Sequence, residues 1–261
     1  MTVEDISYKI DGGVGLLTLK RPHKLNAATS QMLRHLLASL HEAAADDEER
    51  AVLLTGAGPA FCVGQDLNDP AASGDDPDLG ALLEERWNPV IRAMRANPKP
   101  VVVAVNGTAA GAGMSLALAG DIVLIARSAR FHPAFSGLGL LPDSGGTWAL
   151  PRLVGPARAR GLSMITESIS AEEAWELGMV WKVVDDDALL GEAGDLAVRL
   201  ASGPTMAYAA IKQAIEAAEA NTLSEQLDLE RDLQRDLGHS DDYREGVTAF
   251  VDKREPRFEG K

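Results

Sequence analysis

From Pro100 to Gly120 the chain reads PVVVAVNGTAAGAGMSLALAG, without one charged residue. A run of this length has two physical solutions. It can cross a bilayer, which takes about 20 apolar residues, or it can be divided by a turn and buried inside a protein. Asn106-Gly107 is a strong turn signal, and further glycines follow it. Ahead of the turn stands the β-branched run VVVAV (101–105), which predicts a strand buried on both faces. Behind it, the small residues of about 110–119 predict a tightly packed helix. The run is therefore read as strand, Gly-rich turn and helix in the interior of an α/β fold.

Composition supports a packed interior. Hydrophobic residues make up 46 % of 261, enough for a sizeable core. Acidic residues outnumber basic ones, 39 to 25, for a net charge of −14. Such a field repels nucleic acid and anionic membrane surfaces, so neither is expected as a partner. An anionic ligand would need a local basic cluster. Cys62 is the only cysteine, which excludes an intramolecular disulfide and fits a reducing, cytoplasmic setting. The opening MTVEDISYKI has no basic segment leading into an apolar one, so no secretory leader is expected.

ISYKI and VGLLTL, separated by Asp11-Gly12-Gly13, read as a hairpin. Met32, Leu33, Leu36, Leu37 and Leu40 recur at helical spacing over 29–45. AVLLT (51–55) reads as a strand, followed by the Gly-rich GAGPAFCVGQDL. Residues 68–80, acidic and rich in Gly and Pro, read as a mobile loop or lid. A helix over roughly 80–96 is stopped by NPKP, and DIVLIA is a further strand. Strand, Gly-rich loop and helix thus occur twice, the weak repeat expected of stacked units. After residue 155 the character becomes helical. Ser170–Glu173 and Thr222–Glu225 match the capping box. SDDYREGVTAFVDKR places acids first and bases last, as a helix dipole favours.

Two Gly-rich loops could carry chemistry. FCVGQDL and NGTAAGAGMSL each follow a strand, and small residues there let a ligand approach the backbone. Helix-start N–H groups point outward unpaired. Two such loops could aim two N–H groups at one thioester oxygen. Taken alone, each loop is explained better by close packing of a small-residue helix on a sheet. GLGLLPDSGGTW (137–148) places Asp143 between Pro142 and Ser144. The aspartate is either a helix cap or a general base whose pKa is raised by apolar neighbours such as Leu140, Leu141 and Trp148. Cys62 reads as core, His132 has no readable partner, and Ser144 lacks the G-x-S-x-G elbow. No Cys/His/Asp cluster has the spacing of a metal site.

Taken in order, RPHKLNA, LLTGAGPAFCVGQDL, VNGTAAGAGMSLALAGDIVLIA and LGLLPDSGGTWALPRLVG resemble the successive signatures of the crotonase (enoyl-CoA hydratase/isomerase) superfamily. The resemblance spans nearly the whole chain. It implies a crotonase-like spiral of stacked β/β/α units over 1–200 and a helical trimerisation region over 201–261. Coenzyme A thioester substrates are implied, with a homotrimer or a dimer of trimers and no separate cofactor. It implies an oxyanion hole from the backbone N–H groups of Gln65 and Ala112. Lys24, Ala27, Gly64, Asp66, Leu67, Gly111 and Phe135 would hold substrate and coenzyme A.

Departures from the family pattern carry more information. Hydratases of this family place a water with two glutamates. The corresponding positions here are Ser115 and Phe135, and neither can transfer a proton as a carboxylate. Asp143 stands where hydratases usually have glycine and some isomerase branches have aspartate. One base beside an oxyanion hole suffices to move a proton, whereas hydration also needs an activated water. FSGLGLLPDSGGTW, FCVGQDLNDP and the C-terminal segment resemble a branch that converts the ring epoxide of phenylacetyl-CoA to an oxepin and shifts 3-enoyl double bonds. The expected function is acyl-CoA isomerisation with Asp143 as the catalytic base. Phe135, Leu138, Leu140, Leu141 and Trp148 are expected to wall a flat acyl group. The alternatives are dienoyl-CoA isomerisation, an aryl-CoA reaction, residual hydration, or a non-catalytic acyl-CoA-binding subunit.

Overall fold

The uncharged run divides where the turn signal stands. Val101–Val105 form a strand whose five residues are all buried, and Ala112–Leu118 form a fully buried helix. Among the described residues no helix is long and apolar enough to cross a membrane. The computed structural model describes residues 5–261. The first four residues, part of the stretch read as lacking a leader, lie outside it.

In chain order the elements are β1 (Ile6–Asp11), β2 (Val14–Leu19), α1 (Ser30–Ala45), β3 (Ala51–Gly56) and β4 (Ala60–Cys62). Next come α2 (Leu79–Leu82), a π-helical turn over Leu83–Trp87, and α3 (Asn88–Ala96). β5 (Val101–Val105), β6 (Thr108–Ala110), α4 (Ala112–Leu118), β7 (Ile122–Ala126) and β8 (Arg130–His132) follow. The remainder comprises α5 (Gly146–Val154), α6 (Pro156–Ile165), β9 (Ile169–Ser170), α7 (Ala171–Glu176), β10 (Lys182–Val184), α8 (Leu189–Ala201), α9 (Thr205–Ala217), α10 (Leu223–Leu237) and α11 (Asp241–Asp252).

Two sheets result. The first has the order β1-β2-β3-β5-β7-β10, antiparallel only at the β1–β2 hairpin. The second, β4-β6-β8-β9, is built from strands of two or three residues. Three successive strands of the first sheet, β3, β5 and β7, each continue into one of the second, β4, β6 and β8. Helices lead back to the first sheet after β4 and β6; after β8 the chain passes through α5 and α6, adds β9 to the second sheet and returns through α7 to β10. This is the expected spiral of β/β/α units. β3 and β5 are apolar at nearly every position because both faces are covered.

Helix α1 is capped by Thr29, whose side chain accepts from Met32 N–H, and buries Met32, Leu33, Leu36, Leu40 and Ala43. Both expected capping boxes form, at Ser170 and Thr222. Three expectations need correction. The Gly-rich segments after β3 and β5 contain the short strands β4 and β6. The expected single helix over 80–96 is interrupted by the π-helical turn. Beyond residue 155 the chain is not wholly helical, since β9 and β10 each complete a sheet edge.

The C-terminal helices lie against the core through polar contacts. Lys212 of α9 pairs with Asp121 at 2.7 Å and donates to the carbonyls of Asn97 and Lys99. Arg50 donates to Thr205 Oγ1 (3.1 Å) and to Phe258 O (2.9 Å) in the C-terminal segment. Neither α9 nor α10 contains a fully buried residue.

Candidate active site

Four segments converge on the start of α4. The first is the turn after β2. Leu25 (φ 51°) and Asn26 (φ 56°) are both left-handed there, a conformation asparagine tolerates better than most residues. The fully buried Asn26 side chain donates to Ala57 O (2.9 Å) and Ala60 O (2.7 Å) and accepts from Arg21 N–H (2.8 Å). It fixes the turn that carries Lys24 and Ala27.

The second segment is the loop after β4. Ala28 N–H donates to Gly64 O (2.7 Å) and Asp66 N–H to Ala28 O (2.8 Å), so loop and turn lie side by side. This pairing leaves the Gln65 N–H without an acceptor among the described residues. Its side chain is held by the indole of Trp87, which donates to Gln65 Oε1 at 2.8 Å. The Asp66 carboxylate is occupied by Arg21 Nη2 (2.9 Å) and by Asn68. Burial pushes Asp66 up, but the Asn68 and Arg21 hydrogen bonds outweigh it and hold the carboxyl below its usual range. The segment read as a mobile loop is tied at its start, where Asp69 accepts from Ser30 N–H (2.7 Å) and Ser30 Oγ (3.0 Å).

The third segment is α4 itself. Gly64 (φ +90°) touches it so closely that a Cβ there would stand 3.1 Å from Ala110 O and 3.3 Å from Ala112 N. Only glycine allows both this backbone and this approach. Ala112 opens the helix, and its N–H has no acceptor among the described residues. The ring of buried Phe135 covers Gly111, with Cζ 3.8 Å from a Cβ built on that glycine.

The fourth segment carries Asp143. Helix α5 is capped by Gly145 with no side-chain hydrogen bond, so Asp143 is not its cap. The Asp143 carbonyl accepts from Ser115 Oγ (2.8 Å) and Gly146 N–H (2.8 Å). Its carboxylate accepts one bond, from Ser144 Oγ to Oδ1 at 2.9 Å. Burial pushes the Asp143 carboxyl above its ordinary value, and the Ser144 hydroxyl opposes this in part. Two unpaired N–H groups and a carboxyl of raised pKa are the parts needed to hold an oxyanion and move a proton. Burial pushes the Cys62 thiol up to about 12 and leaves it a core residue.

Residues 9–261 match the model of the enoyl-CoA hydratase/isomerase family. The chain belongs to that family. An Escherichia coli K12 relative, 1,2-epoxyphenylacetyl-CoA isomerase, is 54 % identical over 99 % of this chain and 100 % of its own length. A probable enoyl-CoA hydratase of Rhodobacter capsulatus is 48 % identical, with all of both chains aligned. The crystal structure of a putative family member from Mycobacterium abscessus superposes with a TM-score of 0.92 at 37 % identity. That alignment covers 98 % of this chain and 100 % of the other.

The residues expected to wall a flat acyl group differ in their surroundings. Leu138, Leu140 and Leu141 are exposed. Trp148 is taken up by two guanidinium groups, Arg152 at 4.2 Å and Arg95 at 5.2 Å from its ring centre. Only Phe135 of the expected wall is buried and in contact with the α4 start. Lys24 and Leu67 are exposed at the edge of the paired segments, and Ala27 and Gly64 are buried inside them. Sequence reading missed the contacts of Ser115, Ser144, Trp87 and Asn26. The left-handed tolerance of asparagine was a usable signal for Asn26. Trp87 reaches Gln65 only through the folded chain and left no local signal.

Proposed function

We propose that this family member is a cofactor-independent acyl-CoA isomerase. Its substrate would be the 1,2-epoxide of phenylacetyl-CoA, and it would also shift 3-enoyl thioesters to 2-enoyl thioesters. The carrying observation is Asp143, a partly buried carboxyl that caps no helix, held through its carbonyl by the Ser115 that stands in place of a hydratase glutamate. The thioester oxygen rests on the Gln65 and Ala112 N–H groups, which stabilise negative charge as it develops. Asp143 removes a proton from the α-carbon and gives an enolate. For a 3-enoyl substrate the proton returns at C4, leaving the double bond between C2 and C3. For the ring epoxide, the proton leaves the same carbon and returns to a ring carbon while the C–C bond shared by the epoxide and the six-membered ring breaks and both C–O bonds remain, so the ring expands by one oxygen and substrate and product contain the same atoms.

The Lys24–Ala27 turn, the Gly64–Leu67 loop and Gly111 hold the coenzyme A moiety, and Asp66 contributes its main chain because its carboxylate is engaged by Arg21. The Phe135 ring supports a flat acyl group; aromatic contacts add about 0.5–1.5 kcal/mol beyond area burial. The identity to the E. coli epoxide isomerase supports this substrate. In the test, the epoxide is generated in situ by its epoxidase and the oxepin thioester is followed by mass spectrometry and absorbance. Catalysed oxepin formation is expected. Turnover of 3-enoyl thioesters with only spontaneous decay of the epoxide would leave the isomerase class standing and contradict this substrate.

A further inference from the structure

Ser144 is left-handed (φ 51°) and only 3 % exposed. A left-handed backbone favours glycine, so serine gives this turn nothing that glycine would not give better. What the serine adds is a hydroxyl, 2.9 Å from Asp143 Oδ1. The base segment is otherwise fixed through its main chain, by Ser115 Oγ and Gly146 N–H on the Asp143 carbonyl. Asp143 Oδ2 accepts no hydrogen bond from any described residue.

We propose that Ser144 is a positioning residue that holds Oδ1 of Asp143, so that Oδ2 is the oxygen that takes and returns the substrate proton. This rests on Asp143 being the base. A hydroxyl donating to one oxygen fixes the carboxylate plane and favours the ionised form. No charged neighbour does this work. Helix α4 carries no charged residue. Arg152 of α5 faces Trp148 and Glu219. Across the turn, Ile91 of α3 lies against Gly145, while Arg92 pairs with Glu84 and Arg95 lies on Trp148. Burial and the Ser144 hydroxyl are the two influences on the Asp143 proton.

The test compares Ser144→Gly with Ser144→Ala in the full-length enzyme. Carbon-13 NMR of the Asp143 carboxyl, assigned by its loss in Asp143→Asn, reads the titration without turnover. Both variants should titrate higher than wild type by about one pH unit, the usual weight of one hydrogen bond to a charged group. The acid limb of kcat/KM should move up by the same amount, and kcat should fall several-fold with KM nearly unchanged. A purely conformational role gives another pattern: Ser144→Gly as active as wild type, Ser144→Ala unstable, and the Asp143 titration unmoved in both. That result overturns the proposal. Full turnover by Asp143→Asn would instead overturn the base assignment and leave the titration result intact.

Discussion

Asp143 carries a cost that its proposed role as the base explains. A carboxyl whose pKa is raised on folding stabilises the fold only while protonated. That contribution is complete below the unfolded value and is lost as pH rises through the folded one. At neutral pH the ionised group therefore destabilises the fold. Asp143→Asn keeps the size and removes the charge. It should melt above wild type near pH 7, with the difference shrinking as pH is lowered toward about 4. The same variant should lower kcat by about 10²–10⁴ while thioester binding holds. Calorimetry and steady-state kinetics check the two halves, and near-normal turnover would reduce Asp143 to a structural residue. The catalytic pH profile follows from the same shift: kcat/KM should fall, as pH is lowered, through a pKa above the ordinary aspartate value. The sequence displayed this residue, and the family resemblance implied that Ser115 and Phe135 replace both hydratase carboxylates. It did not show that Ser115 holds the aspartate's carbonyl, because that bond joins positions 28 residues apart.

Among the elements, the short helix α4 links the two halves of the proposed chemistry. Its first residue offers the Ala112 N–H, and one turn later Ser115 holds the base segment. The Gly64 loop must lie flat against its start. Gly64→Ala would place a methyl group 3.3 Å from Ala112 N, on a backbone that L residues avoid. The expected result is a loss of roughly 10²-fold in kcat, comparable to removing one oxyanion donor. Kinetics on the purified variant, with circular dichroism to confirm folding, decide this. Long, strongly patterned elements such as β5 and α1 were legible, because burial of one face or both leaves a periodic mark. β4 and β6 were not. At three residues each they are too short for a pattern, and pairing across the second sheet forms them.

For the whole molecule, the C-terminal helices retain a wide apolar surface. Leu223, Leu227, Val247 and Phe250 are exposed in the single chain, Phe250 by 85 %. Leu223 and Leu227 stand one helical turn apart in the sequence, and neither is covered within the described chain. We expect sedimentation to give a trimer or two stacked trimers, with the interface area usual for stable assemblies; a monomer at micromolar concentration would contradict this. The central claim is that this molecule relocates a proton and adds no water. The direct measurement is mass spectrometry with ultraviolet absorbance of a 3-enoyl-CoA incubated with the enzyme. The predicted product has the mass of the substrate and gains the absorbance of a conjugated thioester. A product heavier by one water, formed at ordinary enzymatic rates of ~1–10³ s⁻¹, would contradict the account.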